Sequence, residues 1–223
     1  MAIAYGERKS TTTAEGAGSA VEAAAGIAIA ILAIIGLSRG ESGSLTSIAT
    51  IILGAAMFVF GATMASEYGK LVDTVGEAAV GASEFGAGMS VEIMTGGTAI
   101  VLGILGLIGV SRGVLVPAAV ITVGVGLMLS AGSFQRLNNL RMQVSGLADV
   151  AQSLSRAAVS SALTSQVLAG LAAVVLGILA LTIPGSAASL VQVGLIVLGV
   201  ALALSGTALT GRMLKIYGPA RVQ

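Results

Sequence analysis

An internal repeat constrains this chain more than any other feature, because one pattern of two long apolar segments joined by a short turn occurs three times. The second segments carry a glycine at the equivalent position of each copy: Gly54, Gly124 and Gly199. A unit that recurs in this way is one supersecondary element, and the stacking of its copies defines the architecture. The sequence therefore predicts a fold built from three helical hairpins.

The apolar segments are long enough to cross a bilayer. The mean hydropathy is +1.01 and only 9% of residues are charged, against about 25% in soluble globular proteins. Six continuous apolar runs lie near 20–37, 45–65, 93–110, 114–134, 165–183 and 187–210. Continuous runs favour helices over barrel strands, and a helix satisfies its own backbone hydrogen bonds in lipid. We predict an all-α membrane protein with six transmembrane helices, arranged as three repeated helical hairpins around a pseudo-threefold axis.

The pattern divides the chain into hairpins, connections and tails. The predicted boundaries are a polar N-terminal tail at 1–19, hairpins at 20–65, 92–134 and 165–211, connections at 66–91 and 135–164, and a C-terminal tail at 212–223. In the first tail, a polar stretch separates Arg8 and Lys9 from the first apolar run, unlike a signal peptide. We expect this tail to be retained and disordered.

The two connections have a helical pattern. Leu140, Leu147 and Leu154 are spaced seven residues apart, which places them on one face of an amphipathic helix. We expect both connections to continue the helices beyond the bilayer or to lie on its surface. The leucine edge is the expected water-side contact, either with 66–91 of the same chain or with a partner protein.

Basic residues are distributed unevenly between the two sides of the predicted membrane protein. Six spans place both tails and both connections on one side, which holds nine basic residues: Arg8, Lys9, Lys70, Arg136, Arg141, Arg156, Arg212, Lys215 and Arg221. The other side holds Arg39 and Arg112, which we expect to reach lipid head groups. The positive-inside rule then predicts cytoplasmic termini and connections in a multi-pass protein of the inner (plasma) membrane.

Three polar residues recur at equivalent positions near the start of the first helix of each hairpin. These are Glu22, Glu92 and Gln166, each four residues before a glycine. One interpretation is that they cap helix N-termini or anchor the helices at the interface, where the helix dipole favours a carboxylate. The alternative is a polar mouth that binds protons or cations, because carboxylates inside membranes are costly and are often functional.

Small residues form a stripe on the second helix of each hairpin. The stripes are Gly54 with Gly61, Gly124 with Ala131, and Gly199 with Gly206, each pair two helical turns apart. Such stripes allow close helix packing in lipid. We expect them to pack inside each hairpin, which leaves Met57, Phe58, Leu127 and Leu202 facing lipid or neighbouring subunits. The alternative is that the stripes line a narrow pore or a lipid cleft.

The composition argues against several functions. Because the chain has no cysteine and no histidine, it lacks the usual zinc, haem and copper ligands, and its hydroxyl groups lack an imidazole base. It contains no phosphate-binding loop and no basic face with interleaved aromatic residues. We therefore expect no enzymatic activity, no cofactor, no metal and no nucleic-acid partner.

The third hairpin carries a family resemblance. It combines an apolar Leu-Gly-Ile-Leu-Ala-Leu run with Gly177, a proline turn at Pro184, and a glycine-spaced second helix with Gly199 and Gly206. In these features it resembles the HdeD-like family of small bacterial membrane proteins, which have six spans in three hairpins. The second hairpin keeps the run at 102–107 but lacks the proline turn. The resemblance implies an inner-membrane protein associated with acid stress, without a catalytic site.

Two functions from different classes remain at this point. The first is a structural role, as a scaffold or accessory subunit that forms a homo-oligomer or packs in the bilayer against a larger membrane complex. It is favoured by the small-residue stripes and the amphipathic connections. The second is a small channel or transporter for protons, cations or a small neutral solute, with Glu22, Glu92 and Gln166 at its mouth.

Overall fold

A computed structural model describes the backbone of residues 2–40, 43–75, 82–145, 149–183 and 185–217, and the side chains of 20–40, 43–63, 65–66, 90–131, 164–183 and 185–207. The described elements are six helices: α1 (Ala2–Ser38), α2 (Gly43–Val75), α3 (Ala82–Ile108), α4 (Arg112–Ser145), α5 (Asp149–Thr182) and α6 (Ala187–Tyr217). Each contains one stretch that is long and apolar enough to cross a membrane: Ala20–Ser38, Gly43–Thr63, Ser90–Ile108, Arg112–Ala131, Thr164–Thr182 and Ala187–Thr207. The prediction of an all-α membrane protein with six spans is confirmed.

The helices extend well beyond the apolar stretches. Helix α1 begins at Ala2, so the prediction of a disordered tail at 1–19 is wrong: the first span simply continues backwards as a helix. Helix α2 runs on to Val75 and α4 to Ser145, as expected for helical connections. The predicted contact edge of Leu140, Leu147 and Leu154 lies outside the residues whose side chains are described.

The hairpin turns define one end of the bundle, which we call the turn end. They follow Ser38, Ile108 and Thr182, and each includes a glycine with positive φ, such as Gly109 at 97° and Gly185 at 86°. A glycine adopts this conformation without strain and so ends one helix sharply before the next begins. The opposite end, where the helices run on towards the chain termini and the long connections, we call the connection end.

The six helices form a closed ring, and three of them lie closer to its centre than the other three. Each helix packs against its neighbours in the chain, and α1 closes the ring by packing extensively against α6. Helices α2, α4 and α6 also contact one another. In their apolar stretches 44–56% of residues are buried, against 33% in α1, α3 and α5. The second helix of every hairpin is thus an inner helix, and the first is an outer helix.

The closest packing occurs between hairpins rather than within them. The most extensive contacts join α1 to α6, α2 to α3, and α4 to α5. Each of these pairs combines the inner helix of one hairpin with the outer helix of the next, since α6 of the third hairpin meets α1 of the first. The prediction that the glycine stripes pack inside each hairpin is therefore wrong.

Three pairs of glycines mark the places where these helices cross. They are Gly54 with Gly96, Gly124 with Gly170, and Gly199 with Gly26. A Cβ atom added to either member of a pair would lie 2.5–2.7 Å from the carbonyl oxygen of the other, so the two backbones are in direct contact. In lipid, where little hydrophobic force joins helices, such close approach supplies the van der Waals contact that holds them together. The second glycine of the first stripe also packs between hairpins, because Gly61 lies against Glu92 and Ile93 of α3.

The axis of the bundle is filled by apolar side chains from the inner helices. Two layers repeat with threefold regularity, and every member is at most 3% exposed: Leu53, Val123 and Leu198, then Met57, Leu127 and Leu202. The prediction that Met57, Leu127 and Leu202 face lipid is wrong, because an inner helix is surrounded on most sides; Phe58 alone of that set is exposed, at 43%. The glycine stripes line helix crossings and not a pore.

Candidate functional site

Two of the three repeated polar residues are enclosed by the bundle. Glu22 is 3% exposed and Glu92 is 6% exposed, whereas Gln166 is half-buried. Glu22 and Glu92 lie in the first residues of their spans but 20 and 10 residues after their helices begin at Ala2 and Ala82. They are therefore not helix caps, and their burial also rules out the role of interfacial anchors. The structure places both carboxyl groups inside the bundle and not at an open entrance, and the binding of protons or cations by them stays a prediction.

Glu22 joins the first helix of the chain to the last. The hydroxyl of Ser205 on α6 donates a hydrogen bond to Glu22 Oε1, with 2.6 Å between the oxygens. The other carboxylate oxygen, Oε2, is buried and has no hydrogen-bond partner. Buried polar atoms in folded proteins are nearly always paired, so an unpaired carboxylate oxygen marks an exceptional position.

Glu92 occupies the equivalent position on α3 but points to a different neighbour. Its Cβ lies against Gly61 of α2, where the missing side chain provides the space. Its carboxyl group is within hydrogen-bonding reach of the Ser130 hydroxyl on α4. Both carboxyl groups lie at the connection end, each beside a buried serine, and we refer to Glu22, Glu92, Ser130 and Ser205 together as the polar cluster.

The two serines hold equivalent places in the repeat. Ser130 and Ser205 each lie six residues after a crossing glycine, Gly124 and Gly199, and both are 4% exposed. Each hydroxyl is also within hydrogen-bonding distance of the carbonyl oxygen three residues earlier, at 3.3 Å from Leu127 and 3.0 Å from Leu202. In the first hairpin the corresponding residue is Phe60, which is buried as well. The serines were not among the residues predicted from sequence, although the repeat register could have identified them.

The cluster has no counter-charge among the residues whose side chains are described. Four of those side chains are acidic or basic, namely Glu22, Glu92, Arg39 and Arg112. The arginines lie at the turn end: Arg39 is 17 residues beyond Glu22, which corresponds to about 25 Å along a helix. No described basic side chain therefore forms an ion pair with either of the two buried carboxyl groups.

The turn end holds a separate feature, a shallow pocket of about 210 Å³ at the start of the inner helices. Its walls come from the first turns of α2, α4 and α6, and include Gly43, Arg112 and Ala187. Arg112 is exposed, and its Nε donates a 2.8 Å hydrogen bond to the carbonyl oxygen of Gly106 on α3. The side chain of Arg112 also packs on Gly43, so it ties the starts of two helices to the end of a third.

The chemistry available to the cluster is the binding of small cations. Carboxylates and hydroxyls are hard oxygen ligands, and two hydroxyls beside two carboxyl groups provide both hydrogen-bond donors and acceptors. Within the described part of the chain, no group of three or more histidine, cysteine, aspartate or glutamate residues could hold a metal ion. The four residues of the cluster contain no imidazole or amine to activate a hydroxyl nucleophile.

The chain was compared with protein-family models, with curated proteins and with solved structures, and nothing matches in any of the three comparisons.

Proposed function

We propose that this integral membrane protein has a non-catalytic structural role, as a scaffold or accessory subunit that assembles with further copies or with a larger membrane complex. The observation that carries the proposal is the filled axis of the bundle. Leu53, Val123 and Leu198, one from each inner helix, are fully buried in the apolar core at equivalent positions of the repeat. A protein whose centre is packed with side chains resembles a rigid building block more than a conduit.

The outer helices supply the surface for such a role. Their large apolar side chains, such as Ile31, Ile104 and Leu171, are between 42% and 50% exposed and face outward from the ring. In the bilayer this surface contacts lipid, and it is equally suited to contact apolar helices of another subunit. The predicted leucine edge of 135–164, which includes Leu147 and Leu154, would add a water-side contact.

The proposed location is the inner membrane, with the termini and connections in the cytoplasm. The support is the distribution of nine basic residues on one side against two on the other. The likeness of the third hairpin to the HdeD-like pattern supports a link to acid stress.

Cysteines introduced at Ser42 and Ser153 test the proposed orientation. An impermeant thiol reagent on intact cells should label the first and not the second, and the reverse labelling would contradict the orientation.

The size of the particle in the membrane tests the structural role. We expect copolymer extraction from native membranes to give a particle larger than one 21.8 kDa chain with its lipid, with partners identified by mass spectrometry. Replacing Leu147 and Leu154 by serine should reduce the particle size and leave insertion intact, because insertion depends on the spans. A single chain that purifies alone, in the parent and in the double variant alike, would contradict the proposal.

Transport of protons or small cations is the second candidate, and the buried Glu22 and Glu92 favour it. The polar cluster would be its entry on the connection side, although the filled axis requires the inner helices to move apart for passage. Reconstitution in proteoliposomes separates the candidates. A saturable proton or sodium flux that is lost on Glu92→Gln would support transport, and the absence of flux from correctly inserted protein would support the structural role.

A further inference from the structure

We propose that Glu22, Glu92, Ser130 and Ser205 form a binding site for a small monovalent cation, either a proton or an alkali-metal ion, at the connection end of the bundle. The proposal goes beyond the structural role, since a scaffold needs no ligand. Its failure would leave that role untouched. Three observations support it: an unpartnered oxygen, two buried carboxyl groups without a counter-charge among the described side chains, and the set of available ligands.

The unpartnered oxygen is Glu22 Oε2. Its sister atom accepts a hydrogen bond from Ser205, and the side chain as a whole is 97% buried, since 3% of it is exposed. An acceptor enclosed in this way and left without a donor costs free energy unless something binds to it. A proton or a cation on Oε2 provides the missing interaction, whereas a lipid acyl chain or an apolar side chain does not.

The second observation concerns the pair of carboxyl groups, for which no counter-charge is described. Glu92 is buried like Glu22 and stands at the equivalent position of the next hairpin. On the helices packed around them, no other titratable or charged side chain is described except Arg39 and Arg112, and those lie at the turn end. Two like charges in an apolar region repel each other and are poorly solvated. A bound cation removes that conflict at the place where it arises.

The ligand set indicates the size and charge of the cation. Glu22 and Ser205 offer a carboxyl group and a hydroxyl on α1 and α6, and Glu92 and Ser130 offer the same pair on α3 and α4. Calcium binds six to eight oxygens and magnesium an octahedron of six, and both are usually held by several carboxylates. Two carboxyl groups and two hydroxyls suit a monovalent ion, and either carboxyl group also accepts a proton.

The placement of the site gives the cation a mechanical consequence. Glu22 and Ser205 connect α1 with α6, the contact that closes the ring between the two ends of the chain. Glu92 and Ser130 connect α3 with α4. When the cation leaves, two charges remain between helices that are held mainly by close packing. We therefore expect the empty site to weaken the seam between α1 and α6.

The test follows the stability of the purified protein in lipid nanodiscs as the supply of each cation changes. Loss of helical circular dichroism on heating is recorded from about pH 5 to about pH 9 in choline chloride, and again with sodium chloride. For a proton site, the midpoint Tm falls as pH rises, because the stabilising proton is lost, and sodium does not restore it. For an alkali-metal site, sodium raises Tm at high pH. Either pattern supports the proposal, and infrared difference spectra of the carboxyl band identify a bound proton directly.

The variants show whether the response arises at this site. Glu22→Gln and Glu92→Gln remove one charge each with little change in size, and we expect each to lose most of the pH or sodium response. The matched control is Thr50→Val, since Thr50 is fully buried and bonds only to its own helix at Thr46. It should keep the whole response. The proposal is overturned if the parent Tm responds to neither cation, or if Glu22→Gln responds as strongly as the parent.

Discussion

The middle of the bundle and its connection end follow the same threefold repeat but treat it differently. In the middle, three glycine pairs cross with nearly the same backbone distances, and the two axial layers next to them contain only apolar residues. At the connection end, equivalent positions carry different chemistry: Glu22 and Glu92 against Gln166, and Ser130 and Ser205 against Phe60. The repeat is strict where backbones touch and is relaxed where side chains interact.

The difference has a physical cause. At a crossing, any side chain would meet a carbonyl oxygen at 2.5–2.7 Å, so glycine is the one residue that fits, and each repeat must supply it. At the connection end the helices leave room for a side chain, and several types fill that room. Ser130, Ser205 and Phe60 are all buried at one register position. Polar function can therefore be placed in two repeats and omitted from the third without disturbing the shared architecture.

The largest effect is expected when a crossing is filled. Gly96→Leu would push a side chain into the backbone of α2 at Gly54 and Phe58, and we expect a loss of at least about 3 kcal/mol in the free energy of unfolding, measured by denaturation in mixed micelles. The matched control is Gly97→Leu, because a Cβ at Gly97 meets nothing within 4 Å. Equal losses in both variants would show that Gly96 is not a packing contact.

The next effect concerns the polar end. Ser205→Ala removes the donor to Glu22 Oε1 and leaves that carboxyl group without a described partner, which should cost about 2 kcal/mol of unfolding free energy. Thr207→Ala serves as the control, because its exposed hydroxyl bonds only to its own helix. We expect that change to stay within about 0.5 kcal/mol. If both variants unfold alike, the bond between α1 and α6 contributes nothing measurable.

A smaller effect should distinguish the crossings from one another. A Cβ at Gly96 would meet two backbone atoms at 2.6 Å, whereas a Cβ at Gly170 would meet one backbone oxygen at 2.6 Å and then the flexible side chain of Met128 at 2.9 Å. Gly170→Ala should therefore destabilise the bundle by about 1 kcal/mol less than Gly96→Ala in the same unfolding assay. The reverse order would mean that the α4–α5 crossing is the tighter of the two.

The sequence was sufficient for the spans and for the residues that allow close packing, but not for their partners. Hydropathy located six helices because each must cross about 30 Å of hydrocarbon. The repeat register identified Gly54 and Gly26, yet a small-residue stripe has the same spacing whether it packs inside a hairpin or between hairpins. The inner position of α2, α4 and α6 follows from how three hairpins close into a ring, which no local pattern encodes.

For a related reason, only two of the four residues of the polar cluster could be predicted from the sequence. A carboxylate in an apolar run is conspicuous, so Glu22 and Glu92 were identified. Ser130 and Ser205 were not, because a serine in a membrane helix commonly bonds to a carbonyl of its own preceding turn, as both do here. Only the approach of α1 to α6 turns one of these ordinary serines into the partner of a buried glutamate.

The smallest effect is expected at the turn end, where the contact involves an exposed side chain. Arg112 bonds through Nε to the carbonyl oxygen of Gly106 and packs on Gly43, so Arg112→Ala removes one hydrogen bond and one contact between hairpins. We expect a loss of about 1 kcal/mol in unfolding free energy. Arg112→Lys should lose nearly as much, because a lysine has no Nε donor at the same place on its side chain. Arg39→Ala, at the exposed arginine of the first turn, is the control and should change stability by less than about 0.5 kcal/mol. If Arg112→Lys keeps full stability, charge rather than the directed bond matters at this end. The Arg112 contact and the buried Ser205–Glu22 bond would then differ in where a charge is placed, and not in how deeply the hydrogen bond is buried.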